Sequence, residues 1–401
     1  MAEEKTMNRG LIVISALIIQ LCLGAIYAWS VFTPKLRATV FDGGFGFSAT
    51  QTQAVFAVGL ATFAIVMVLA GRWQAKVGPR IVALTGGILL GAGYILAKFF
   101  GGSFAGQVIC IGLIGGAGIG LAYVCPIAVG MKWFPDKKGM ITGLAVAGFG
   151  FGALIWIKLA GSWGGLIESM GVLNVFGLYG VIFLVAVSLA SIVMVNPPKG
   201  WLPAGYTPPA PGGDKKKGIS GVEMEPAKML RTPQFYMLWV VFIFSGMAGL
   251  MTIGIIKLFG IDALQANGMD VVEASAIAGT AMAVFYSLAN GIGRIVWGTL
   301  SDKLGRKMSI FIMTGTQGIM MLLFYFMGGT PGLLFLGAAI IGFNFGGNFS
   351  LFPTATADFF GPQHVGQNYG WMFTAYGVGG IVGPIMAGMF RDSGTWLPAF
   401  I

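Results

Sequence analysis

Uncharged, apolar stretches of about 20 residues recur along this chain, separated by short groups of charge, glycine and proline. That length matches an α-helix crossing a bilayer. The pattern predicts helices near residues 10–33, 50–71, 80–99, 105–131, 139–161 and 172–195, then near 233–258, 272–299, 308–328, 333–357 and 368–390. Thr395 to Ile401 reads as the opening of a twelfth helix that the sequence cuts short. After the sixth helix the composition changes, from Asn196-Pro197-Pro198-Lys199-Gly200 through Pro208-Pro209-Ala210-Pro211 to Lys215-Lys216-Lys217. Such a segment is too polar and proline-rich for hydrocarbon and reads as a solvated linker. The expected organisation is a six-helix bundle over 1–196, a linker over 197–232 and a second bundle over 233–401.

Composition agrees with an all-α membrane protein. Of 401 residues, 56% are hydrophobic and 9% charged, against about 25% charged in a soluble domain. The 66 glycines suit helices that approach closely. The net charge of +10 would invite a nucleic-acid reading, but the basic residues lie in loops. With a cytoplasmic N-terminus, seventeen lysines and arginines fall inside and six outside, Arg294 excepted. No nucleic-acid partner is expected. The first apolar run lacks a cleavage site and reads as a retained helix. Cys22, Cys110 and Cys125 lie in apolar segments without metal spacing and read as packing residues. His364 reads as a solvated loop residue, and Lys137-Lys138 as topology signals. No phosphate-binding loop, metal cluster or nucleophile with a base beside it occurs, so an enzyme, a cofactor and a metal are not expected.

The two halves repeat each other. Gly71-Arg72-Trp73-Gln74-Ala75-Lys76-Val77-Gly78-Pro79-Arg80 matches Gly298-Thr299-Leu300-Ser301-Asp302-Lys303-Leu304-Gly305-Arg306-Lys307 at an offset of 227, which also places Gly115, Gly120 and Pro126 on Gly342, Gly347 and Pro353. Gly139, Gly148 and Gly152 fall on Gly370, Gly379 and Gly383 at an offset of 231. A parallel six-helix repeat suits an alternating-access carrier that holds its substrate between the halves. From Ala274 to Trp297 only Arg294 is charged. A cation there is costly unless it faces a wet cavity or a partner.

The Gly298–Lys307 pattern resembles the loop signature of the major facilitator superfamily. The first copy has Ala75 where the signature has aspartate, which removes the carboxylate that usually interlocks the loop with a neighbouring helix. Tyr27-Ala28-Trp29-Ser30, Trp133-Phe134-Pro135-Asp136-Lys137-Lys138-Gly139, Met229-Leu230-Arg231-Thr232-Pro233-Gln234-Phe235 and Leu351-Phe352-Pro353 resemble the oxalate/formate antiporter family, which includes bacterial relatives of monocarboxylate transporters. The resemblance implies the twelve-helix fold in two pseudo-symmetric halves, a multi-pass protein of the bacterial inner membrane, acting as a monomer. Gly71, Arg72, Gly298, Asp302, Lys303, Gly305 and Arg306 are then the gating loops.

Oxalate carriers of that family place an arginine on helix eight and a lysine on helix eleven beside the substrate. Arg294 matches the first, and Tyr376 stands at the second. One guanidinium suits one carboxylate, whereas the second carboxylate of a dianion would lie unpaired in a low dielectric. Tyr376 can hydrogen-bond a 2-hydroxy or 2-oxo group. Asn290, one turn before Arg294, shares its face and replaces the aspartate of animal monocarboxylate transporters. The resemblance adds Tyr27, Tyr123, Phe345, Phe349 and Phe373 as an aromatic box; Gln53 and Asn348 are further polar candidates. The expected function is alternating-access transport of small monocarboxylates of the lactate or pyruvate type, with a proton as partner. Oxalate/formate-type antiport and a non-transporting carboxylate sensor are the alternatives.

Overall fold

The computed structural model describes residues 8–198, 200–203, 205–207, 222–392 and 395–401. Lys5, Lys199 and the linker stretch containing Lys215 to Lys217 lie outside the described residues. Long helices dominate: α1 (Arg9–Arg37), α2 (Ala49–Val77), α3 (Pro79–Phe100), α4 (Phe104–Trp133), α5 (Lys138–Ala160), α6 (Val172–Ser191), α7 (Pro233–Ala266), α8 (Val271–Leu304), α9 (Arg306–Met327), α10 (Pro331–Phe360) and α11 (Val365–Asp392). Among the described residues, α1 to α10 are long and apolar enough to cross a membrane. Their outward residues include Ile65, Leu69, Phe244, Phe311 and Phe326, all exposed, as expected where hydrocarbon is the solvent.

Over 395–401, where the sequence suggests the opening of a twelfth helix, a short 3₁₀ turn forms at Leu397–Ala399. Phe400 packs its ring 4.8 Å from Phe259, and Trp396 donates its indole N–H to Asp262 at 3.0 Å. Pro398 lies in the first positions of the turn, where its missing N–H would have no partner within the turn.

The helices start where local chemistry dictates. Ser48 and Gln51 form a reciprocal capping box at the start of α2, and the Asp270 side chain accepts from Val272 and Glu273 N–H at the start of α8. The turns from α2 to α3 and from α8 to α9 each pass through a left-handed glycine, Gly78 at φ 88° and Gly305 at φ 84°. Those two glycines are 227 residues apart. Three helices depart from regular geometry: α1 tightens over Gly24–Ala28, and α4 and α8 widen over Val108–Gly115 and Ala281–Tyr286. Pro126 in α4 and Pro353 in α10 each remove one interior helix hydrogen bond.

Packing follows the repeat. In the first six helices α3 lies on α6, α2 on α4 and α1 on α5; in the later set α7 lies on α11 and α8 on α10. The two sets meet through α5 on α8 and α2 on α11. Glycines allow those crossings. The α-carbons of Gly139 and Gly298 face each other's backbone, as Gly71 faces Gly366; likewise Gly143 faces Arg294 and Gly370 faces Met67. Each second pair follows from the first by the same offset of 227. Toward α1 and α7 the register slides by one turn: Gly148 and Gly152 meet Leu17 and Leu21, while Gly379 and Gly383 meet Ile243 and Met247. Both offsets read from the sequence are therefore real, each describing a different contact of α5 and α11.

Candidate functional site

Arg294 is 0% exposed, in α8 between the halves. Its Nε donates to Asn290 Oδ1 at 3.1 Å, one turn earlier, and one terminal nitrogen donates to the Val146 carbonyl of α5 at 3.0 Å. The other terminal nitrogen is buried without a hydrogen-bond partner. The guanidinium carbon stands 4.1 Å from the Phe349 ring centre and 5.3 Å from that of Phe149. Cation–π contact of this kind offsets part of the desolvation cost of the charge. No carboxylate among the described residues pairs with it.

The structure packs the aromatic candidates against one another. Tyr27 and Tyr376 share a hydroxyl–hydroxyl hydrogen bond of 2.5 Å, joining α1 to α11 across the halves. The Tyr123 ring lies 5.3 Å from Phe373 and 5.5 Å from Phe149, and Phe349 lies 5.1 Å from Phe345 and 5.5 Å from Tyr376. Tyr27, Tyr123, Phe345, Phe349, Phe373 and Tyr376 are all buried. The structure adds four neighbours that the sequence reading passed over: Phe63, Phe149, Tyr286 and Tyr369. Phe63 lies 4.8 Å from Phe373 with the rings tilted, Tyr286 lies 6.1 Å from Phe345, and Tyr369 lies 5.6 Å from Phe373. Tyr369, Phe373 and Tyr376 are spaced i, i+4, i+7 on α11, a signal that one helix face carries all three.

Two polar candidates make no hydrogen bond to Arg294. Gln53 is exposed, in a cleft of about 30 Å³ with Tyr27, Trp29 and Phe56, room for a few water molecules at most. Asn348 accepts from Ser245 at 2.7 Å through Oδ1 and has an unpartnered Nδ2. Asn344 donates to Thr316 at 3.1 Å, a helix-to-helix link.

The signature loops form a second polar cluster at the ends of the helices. Asp302 accepts the Gly139 N–H at 3.1 Å and the Met140 N–H at 2.9 Å, capping α5 from the other half. Arg306 bonds Asp302 at 2.8 Å and Asp358 at 2.7 Å, and Lys138 reaches Asp358 at 3.1 Å. Lys138 is thus a buried member of a charge network spanning the halves, where the sequence suggested only a topology signal. Lys303 is exposed and outside the network. In the first copy, where Ala75 replaces aspartate, Arg72 lies 5.5 Å from the Trp371 ring of α11. A linker residue supplies the carboxylate instead: Glu223 accepts from the Gln363 N–H at 3.0 Å just before α11. Tyr206, also in the linker, stands near Asp136 and Asp358; burial raises its pKa, and the two carboxylates add to the rise.

This arrangement of matched bundles, signature loops and a central polar site defines a membrane carrier. The model of the Major Facilitator Superfamily matches residues 14–384, and the chain belongs to that family. Among relatives, the chain is 32% identical to the "Uncharacterized MFS-type transporter YhjX" of Escherichia coli over 93% of its length and 86% of the relative's. It is 26% identical to the "Oxalate:formate antiporter" of Oxalobacter formigenes, covering 97% and 86% of the two chains. It is also 26% identical to "Apicoplast pyruvate carrier 1" of Toxoplasma gondii, covering 90% and 80%. Among solved structures, the proton:xylose symporter XylE superposes with a TM-score of 0.68 at 14% identity, over 98% of this chain and 92% of that one, which shows the shared fold.

Proposed function

We propose that the protein is a secondary carrier of small monocarboxylates of the pyruvate or lactate type, working by alternating access. The observation that carries this reading is Arg294, a fully buried cation with one terminal nitrogen unpartnered and no carboxylate beside it. A buried charge is costly until it finds an opposite charge, so a substrate carboxylate completes the site. One cation implies one carboxylate. Tyr376 stands where the resemblance places a second cation, and it is spent on a hydroxyl bond to Tyr27. Relatives whose printed names concern pyruvate or oxalate and formate favour a small organic acid.

The reading includes proton cotransport, in which a proton accompanies the substrate anion. Of the carboxylates at the helix ends, Asp358 pairs with Lys138 and Arg306 and Asp270 caps a helix, while Glu273 is exposed. The orientation assigned puts the Asp302 network on the cytoplasmic side. Radiolabelled pyruvate and lactate uptake into proteoliposomes, with and without an inward proton gradient, tests both parts. Saturable uptake that rises with the gradient supports them. Uptake indifferent to the gradient removes the proton, and absence of uptake with every small monocarboxylate removes the substrate class.

A further inference from the structure

Three buried donors stand together between the halves, close to one another but with no well-aligned hydrogen bond to an acceptor. They are the free terminal nitrogen of Arg294 on α8, the Tyr123 hydroxyl on α4 and the Tyr369 hydroxyl on α11. Tyr123 stands beside both the guanidinium and the Tyr369 hydroxyl, and Tyr369 is within electrostatic range of Tyr123, Arg294 and Tyr27. The repeat fixes the depth independently. Gly143 meets Arg294 on one side and Gly370 meets Met67 on the other, and Met67 is the 227-offset equivalent of Arg294. Residues 369 and 370 of α11 therefore stand level with Arg294. Buried polar groups in folded proteins are almost always bonded. Orphans gathered in one place match a ligand that supplies acceptors, and a carboxylate has about four acceptor sites on two oxygens.

We infer that Tyr369 is a substrate ligand, donating with Tyr123 and Arg294 to a single carboxylate and so determining that the carrier takes an acid. The inference rests on the monocarboxylate reading and adds a residue to it. In this arrangement the carboxylate bridges Tyr123 of the first half to Arg294 and Tyr369 of the second, while its short tail faces the Tyr27–Tyr376 pair.

The test is calorimetric titration of the purified protein and of Tyr369→Phe with pyruvate, together with melting temperatures of both without ligand. Loss of a hydrogen bond to a charged group is expected to weaken pyruvate binding about ten- to a hundredfold. Because the hydroxyl makes no well-aligned hydrogen bond in the empty protein and only adjoins that of Tyr123, the ligand-free melting temperature is expected to stay close to the native value. Unchanged pyruvate affinity in Tyr369→Phe would overturn the inference. A lowered melting temperature of the empty variant would also overturn it, since the hydroxyl would then be a structural tie. If the native protein binds neither pyruvate nor any other small monocarboxylate, the functional reading itself fails, an outcome visible before the variant is tested.

Discussion

Gly139 of α5 and Gly298 of α8 touch backbone to backbone, and a β-carbon on either would collide with the carbonyl of the other. That contact closes the halves over the charge network, with the Asp302 carboxylate accepting on one side and the α5 N–H groups donating from the other. The helices cannot part here without breaking both.

Gly298→Ala is therefore expected to hold the halves apart at this end. Backbone leaves no flexible side chain to yield, so the closed arrangement loses roughly the 1–3 kcal/mol typical of overpacking. Distances between spin labels on the turns 134–137 and 361–364 should lengthen, and transport should slow. Native distances and native rate would show that the contact does not govern closure.

Asp358 lies between two cations, Lys138 and Arg306, and is 3% exposed. Asp358→Asn leaves both charges buried with weakened pairing, a change that costs about 3–5 kcal/mol for a buried pair. The expected result is a lower melting temperature and a shift toward the state opened at this end. Lys138→Met alone should be milder, because Arg306 remains paired with Asp302. A hydrogen-exchange measurement of the α4–α5 and α10–α11 turns compares the two.

Tyr376→Lys tests why one carboxylate suits the site. The substitution breaks the Tyr27 hydroxyl bond and places a second cation across the box from Arg294. Oxalate binding should strengthen at least tenfold and pyruvate binding should weaken, since two cations then face a single charge. Equal oxalate affinity in both proteins counts against the charge argument.

Much of this arrangement was legible before any coordinates. The apolar stretches predicted the helices because a bilayer imposes their length, and the 227-residue repeat marked the equivalent segments of the two halves. Arg294 stood out because a charge in an apolar run has few explanations. Tyr369 and Phe149 did not, since an aromatic residue in an apolar helix has no distinguishing chemistry until the opposing helix is known. Lys138 was hidden for a different reason: its partner Asp358 is 220 residues away. Glu223 replaces the missing carboxylate of the first loop from a segment outside the repeat, so no internal comparison could point to it.

The central claim is that the Arg294 guanidinium holds the substrate's carboxylate, and titration of Arg294→Ala and Arg294→Lys with pyruvate tests it most directly. Arg294→Ala should bind at least a hundredfold more weakly than the native protein, as expected for loss of two charge-assisted hydrogen bonds. Arg294→Lys should fall between the two, because a lysine keeps the charge but not the planar fork. Native affinity in Arg294→Ala would contradict the account.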